Sequence, residues 1–359
     1  MVRKILPFSL LFILNFFNAK GQQWLENAEI GVDLHYGSFL TSNNKSDYIK
    51  DSYSWISIVS FSKPIKKLPF PAKAYPTQWG VAAFFGNSGS KAHMGNMGGA
   101  YAFLDYPLAG AGWGDIRMRT GLGIGVVEKP YNVETNYKNL LIGSHGNIFI
   151  QAGIRGKFHL TKQTQLHAGI SISHLSNGSY KLPNLGLNIP SVTLGISRIL
   201  NPSELVRDEN NPSSKTSRLQ FQATTGVKQS PWVHSNSYGQ FVLSSEYSFK
   251  NSAYGRFYSG ISFLYDGSLN KLFVDSIITV GLRNYSRFNL APIVGYELVV
   301  GKISVPIHVG VYLIGHEHKI YQNYGIRYRF HPALSAGGFL KSHGGTADFI
   351  HLGISYHLK

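Results

Sequence analysis

Asp115-Ile116-Arg117-Met118-Arg119-Thr120-Gly121-Leu122-Gly123-Ile124-Gly125-Val126 decides the fold. Ile116, Met118, Leu122, Ile124 and Val126 share one parity, and Asp115, Arg117, Arg119 and three glycines share the other. Alternation of this kind is the period of a strand with one apolar face, and a helix has no use for it. It recurs through Ile30, Val32, Leu34 and Tyr36, through Ile148, Ile150, Ala152 and Ile154, and through Ile350, Leu352, Ile354, Tyr356 and Leu358. The stretches run about 10 to 14 residues, whereas strands of soluble sheets usually have about 5 or 6. A transmembrane barrel needs about 9 to 11 tilted residues per crossing, apolar outward and polar inward. The expected fold class is therefore all-β, a transmembrane antiparallel β-barrel, closed because lipid leaves an open sheet edge without partners.

The pattern can be followed along most of the chain. Candidate strands lie near 28–38, 53–63, 77–87, 97–107, 114–127, 146–160, 165–176, 190–200 and 216–228. Others lie near 239–250, 254–265, 274–283, 287–300, 302–314, 321–330, 333–341 and 347–358. These are seventeen, and bacterial barrels have an even number; we expect one barrel over 22–359, of about 14 strands, with 12 and 16 as alternatives. Thr161–Thr164, Asn251–Ala253 and Asn284–Ser286 have the length of periplasmic turns, and Ser42–Ser52 and Lys129–Ser144 that of outer loops. Asn201–Ser217, rich in Pro, Ser and charge, is long for the periplasmic side that strand counting gives it, and the sequence offers no account of that length.

Bulk properties agree with export to a membrane. The length, 359 residues, would suit two soluble domains, but barrels also reach it as one unit. Residues 1–21 read as a cleavable signal peptide: Arg3 and Lys4, an apolar run from Ile5 to Phe17, then Ala19-Lys20-Gly21 before a cut at Gln22. The run is too short to cross a bilayer as a helix. The expected location is the bacterial outer membrane. There is no cysteine, so pairing and burial must supply the stability. The formal charge of +16 comes without any helix-turn-helix, zinc-finger or RNA-binding pattern. Nucleic acid is not an expected partner, and anionic lipid head groups are. The 39 Gly, 21 Tyr and 22 Phe suit tight curvature and aromatic interface belts.

One hairpin concentrates the chemistry. Leu166, Ala168, Ile170 and Ile172 set an apolar face, which puts His174 and Ser176 on that same face. Asn188 shares the parity of the apolar set of the next strand and comes opposite His174 if the strands pair about a loop centred near Lys181. Three polar side chains on the lipid side of a strand end are costly unless they have work to do. Residues two apart on one face are about 6.5 Å apart at Cα, within reach of an imidazole–hydroxyl contact. His174 could then take the proton of Ser176 as it attacks an ester, with Asn188 holding the other ring nitrogen. Asn177, Gly178, Asn184 and Gly186 lie in the intervening loop, where amide groups could bind an oxyanion or substrate. Ser-Asn-Gly and Pro-Asn-Leu-Gly are also ordinary turn sequences.

His174-Leu175-Ser176-Asn177, followed by Pro183-Asn184-Leu185-Gly186, resembles the lipid A 3-O-deacylase family of outer-membrane barrels. The resemblance implies Ser176 as nucleophile, His174 as base and Asn184 at the oxyanion. The family has glutamate where this chain has Asn188. The stretch is also similar to outer-membrane phospholipase A, which has an asparagine fourteen residues after its histidine, as here, and whose resemblance implies calcium. Pro-Asn-x-Gly favours the first family, whose compact barrel would correspond to residues 28–200. Residues 201–359 resemble longer chains grouped as acyloxyacyl hydrolases, through Leu340-Lys341-Ser342-His343 and Ala347-Asp348-Phe349. The implied activity is serine ester hydrolysis that removes acyl chains from lipid A of lipopolysaccharide, with phospholipid as the alternative substrate. A pore or other non-catalytic barrel is the reading from another class.

No metal site and no cofactor are expected apart from that calcium, and a homodimer is left open. Met94-Gly95-Asn96-Met97-Gly98-Gly99 has no following helix to cradle phosphate, and His316-Glu317-His318 lacks a familiar metal spacing.

Overall fold

A computed structural model describes residues 24–40, 47–65, 76–203, 219–229, 236–252, 255–268, 287–300, 302–314, 319–344 and 346–358. The first ring consists of β1 (Ala28–Gly37), β2 (Ser54–Pro64), β3 (Gln78–Asn87), β4 (Asn96–Ala111), β5 (Gly114–Val127), β6 (Gly146–His159), β7 (Thr164–Ser176) and β8 (Leu187–Leu200). The second consists of β9 (Leu219–Gln229), β10 (Ser237–Ser252), β11 (Gly255–Asp266), β12 (Phe288–Val300), β13 (Ile303–Val311), β14 (Ile320–His331), β15 (Leu334–His343) and β16 (Thr346–Leu358). All neighbours are antiparallel. β8 returns to β1, pairing Ile196 with Val32, and β16 returns to β9, pairing Ile354 with Ala223.

The all-β closed-barrel class is as expected, and the strand arrangement differs: two rings of eight replace one ring of about 14. Sixteen of the seventeen expected strands coincide with observed ones, and 274–283 lies outside the described residues. Asn201–Ser217, whose residues from 204 onward also lie outside them, joins the last strand of one ring to the first of the next. That place in the chain order sets it apart from the hairpin turns, each of which joins two neighbouring strands of one ring. Thr161–Thr164 is a tight turn, with Thr164 O accepting from the N–H groups of Leu160 and Thr161. Asn251 and Ser252 belong to β10, while Ala253 and Asn284–Ser286 lie outside the described residues.

Polarity is inverted relative to a soluble protein in both rings. Val32, Ile124, Leu194, Leu243, Ile261 and Leu352 are exposed on the outside, while Asp33, Arg119, Glu246 and Arg327 are buried in the lumens. Stacked aromatic pairs mark both ends of the first barrel, Trp113 with Phe158 at one and Tyr36 with Tyr53 at the other. This is the surface of a barrel embedded in a bilayer.

An eight-stranded lumen is just wide enough for side chains to fill. In the first, Asp105 accepts from Arg117 at 2.8 Å and from Arg119 at 2.9 Å, and it also pairs with Arg155. Lys157 donates to Glu29 at 2.8 Å, and His167 meets Asp33 at 2.9 Å. In the second, Arg327 pairs with Glu246 at 2.6 Å and Glu297 at 3.2 Å, and Arg256 pairs with Glu297. Among Asp33, His35, Arg119, Gln151 and Arg155 the free space is about 20 Å3, room for roughly one water. A lumen packed in this way is a poor conduit, which weighs against the pore reading.

Toward the end of the first lumen where β7 meets its loop, the filling becomes apolar. Phe84, Met97, Val127, Phe149, Leu175, Leu187 and Ile189 form one buried cluster there. On β7 and β8 the alternation is thus reversed at this end, with Leu175, Leu187 and Ile189 inside and His174, Ser176 and Asn188 outside.

Asp105→Ala would leave the guanidinium groups of Arg117, Arg119 and Arg155 facing one another in the lumen. Equilibrium unfolding in urea should show a loss of about 3–5 kcal/mol, the usual cost of breaking a buried ion pair. An unchanged unfolding midpoint would contradict the lumen assignment.

Candidate active site

Leu175, wholly buried, points into the apolar cluster, so its neighbours His174 and Ser176 project from the other face of β7. On β8, Leu187 and Ile189 are buried in the same cluster and turn Asn188 outward. The two strands pair so that His174 lies directly opposite Asn188. His174 Nδ1 is 2.7 Å from Asn188 Oδ1, and His174 Nε2 is 2.8 Å from Ser176 Oγ. With Nδ1–H donating to the amide oxygen, Nε2 is left to accept the serine proton, the tautomer that a general base requires. The backbone of Asn188 is tied as well, its carbonyl accepting from Leu40 N–H at 2.8 Å.

Outward parity does not make the serine fully open. Ser176 is 5% exposed, while His174 and Asn188 are half-buried. Below them on the same outer face lies a groove of about 680 Å3, lined by Met118, Ala152, Ile154, Ile170, Ile172, Pro190 and Val192. Ile172 pairs with Pro190, the outward pair next to His174 and Asn188, so the apolar groove begins one step from the imidazole.

The loop residues separate into different tasks. Asn177 uses its donors internally: its N–H to Asn184 Oδ1 at 3.0 Å, and its Nδ2 to Ser144 Oγ at 2.9 Å and Lys181 O at 2.8 Å. The first of these bonds fixes the Asn184 amide to the residue that follows Ser176, and Asn184 Nδ2 is buried without an acceptor. A buried donor left unpaired, on an amide bonded to the residue after Ser176, is the kind of group that can bind a developing oxyanion. Gly186 donates its N–H to Leu141 O at 3.0 Å. It has φ +80° and lies against the imidazole, since a Cβ there would be 2.9 Å from His174 Cε1. Gly178, also in the left-handed region with φ +61°, makes the turn. Ser144 had no signal in the sequence: it comes from the long β5–β6 loop and becomes a neighbour only when that loop folds over the hairpin.

No group of three His, Cys, Asp or Glu side chains among the described residues is placed to hold a metal ion, and His316-Glu317-His318 lies outside them. The groups bonded within the site, from Ser144, Asn177, Asn184 and Asn188, are neutral. Calcium favours carboxylates and six to eight oxygens, so these residues do not fit it.

Two family models match the chain. Lipid A 3-O-deacylase (PagL) matches residues 61–197, and the C-terminal domain of acyloxyacyl hydrolase matches residues 217–359. The first match runs from β2 into β8, and the second covers β9 to β16. The chain belongs to this lipid A 3-O-deacylase family. A search of curated proteins found no match. Alignments to solved structures include a mutant porin of Rh. blastica, at 9% identity over 92% of this chain and 99% of that one, with a TM-score of 0.21. Another is the P. putida toluene transporter TodX, at 10% identity over 92% and 89%, with a TM-score of 0.17. Scores this low carry no argument.

Gly186→Ala would push a methyl group against the imidazole at a backbone angle that alanine resists. The rate at which an organophosphonate labels Ser176 should fall about 10- to 100-fold, since small misplacements of a catalytic group have that cost. Labelling at the wild-type rate would show that His174 does not depend on this packing.

Proposed function

We propose that this member of the family is an outer-membrane esterase that removes acyl chains from lipid A, with Ser176 as nucleophile, His174 as base and Asn188 orienting His174. The observation that carries the reading is the single imidazole bonded to both Ser176 and Asn188 on the outer wall of a barrel, beside an apolar groove. An enzyme with this wall can act on a substrate that never leaves the bilayer. In this proposal residues 1–21 are the export signal, and the barrel of residues 28–200 is the hydrolytic part.

In the first step Ser176 Oγ attacks the ester carbonyl carbon and its proton passes to His174 Nε2. Asn188 Oδ1 accepts from Nδ1–H, fixing the ring while it is an imidazolium; being neutral, it stabilises that charge less than a carboxylate would. Asn184 Nδ2–H donates to the oxyanion of the tetrahedral intermediate. The acyl C–O bond then breaks, and the departing alkoxide of the sugar takes the proton from His174. Water attacks the acyl-serine, giving its proton to His174, and collapse returns the proton to Ser176 Oγ and releases a fatty acid. The groove at Ala152, Ile172 and Pro190 receives the acyl chain, which exchanges lipid neighbours for apolar side chains with little hydrophobic gain, so the groove orients the ester by shape and packing.

Asn188, where the deacylase family has glutamate, is the one feature that favours phospholipid as substrate. Mass spectra of lipid A and phospholipids from cells with and without the protein separate the two readings. Loss of one acyl chain from lipid A, with phospholipids intact, is the expected result. Ser176→Ala and His174→Ala should each lower the rate at least about 10^3-fold while the barrels keep their heat-modifiable migration. An active Ser176→Ala protein would end the proposal.

A further inference from the structure

The loop that carries Asn184 is held from two sides. On one side the first barrel ties it down, through Ser144 and through the carbonyl of Leu141. On the other side the contacts come from the second barrel. Gln229, the last residue of β9, donates its N–H to Ser179 O at 3.2 Å, and its Oε1 accepts from Leu182 N–H at 2.6 Å. Ser179 Oγ donates to Ala347 O at 2.9 Å. Ile350 lies against Gly178, where a Cβ would stand 2.3 Å from its Cδ1.

These contacts break the pattern of the surface on which they sit. Phe221 and Val227 show the outward face of β9 to be apolar, and Gln229 continues it at the loop end. An amide at that position is costly unless it is partnered, and both its backbone and its side chain are used on residues 179–182 of the other barrel. Farther down β16 on the face of Ile350, Leu352 and Ile354 are exposed at 62% and 55%, so Ile350 meets the loop at one end of an otherwise free face.

We infer that the second barrel is an intramolecular clamp for the catalytic loop, with Gln229 and Ile350 as positioning residues for the first barrel's site. The inference rests on the proposed esterase reading. An oxyanion donor is useful only if it is held to within a fraction of an ångström before the reaction, and a surface loop ordered from one side alone loses that precision. Bonds at Ser179 and Leu182 span the part of the loop that leads to Asn184, and Ile350 caps its first turn. The second barrel thus acts on the rate through Asn184 without touching substrate.

Full-length Gln229→Leu, Gln229→Glu and Ile350→Ala test it, each measured for lipid A deacylation and for organophosphonate labelling of Ser176. Leucine keeps the size and removes the acceptor, while glutamate keeps an acceptor for Leu182 N–H. Gln229→Leu should lower kcat and the labelling rate about 10- to 100-fold with KM unchanged, Gln229→Glu should restore both to within a few fold, and Ile350→Ala should lie between. A wild-type kcat and labelling rate in Gln229→Leu would overturn the inference. Equal losses in the leucine and glutamate variants, with lowered heat stability, would also overturn it by reducing the contact to packing. If the wild type labels at Ser176 but leaves lipid A intact, the substrate reading fails and the labelling rates alone decide the clamp. If Ser176 does not label at all, both fall.

Discussion

The burial of Leu175 in the loop end of the first lumen governs the site. Side chains alternate along a strand, so a leucine committed to the inside sends His174 and Ser176 to the outside. Leu187 and Ile189 do the same for Asn188 on the neighbouring strand. The three polar groups therefore need no device of their own to leave the lumen. They stand on the outer wall because the apolar plug behind them fills the barrel. Register completes the arrangement by bringing His174 opposite Asn188.

The lower lumen obeys the same constraint with different chemistry. Carboxylates and guanidinium groups there have no bulk water to solvate them, and each is paired several times over. Asp105 with three arginines and Arg327 with two glutamates are the densest cases. Such networks make two narrow, rigid cylinders. Rigidity suits a site built on strand ends, since catalytic groups are best held by elements that do not move.

Individual strands were legible because period-two alternation is local, and sixteen of them stand where the pattern puts them. Closure was not legible. Parity says which face looks outward, and nothing in it says that β8 returns to β1 before β9 begins. The long Asn201–Ser217 stretch on the side of short turns was the one sign of a division, and a single ring had no use for it. At the site, the contact of His174 with Asn188 could be read because one hairpin holds both, and loop length sets its register. Ser144, Gln229 and Ile350 could not, because each reaches the loop from a different hairpin. The polar Gln229 on an apolar face is a signal of the kind that exposed His174, and it acquires meaning only when its partner is known.

In the proposed function a lipid substrate, an outward Ser176 and an apolar groove form one physical picture, in which the bilayer delivers the ester sideways to the wall. The centre of that proposal is a covalent step at Ser176. Mass analysis of peptides from the full-length protein, quenched during turnover with lipid A, tests that step directly. If Ser176 is the nucleophile, the peptide containing it gains the mass of one fatty acid less water, and the Ser176→Ala protein shows no adduct. Release of fatty acid by the wild type with the adduct on another residue would contradict the site.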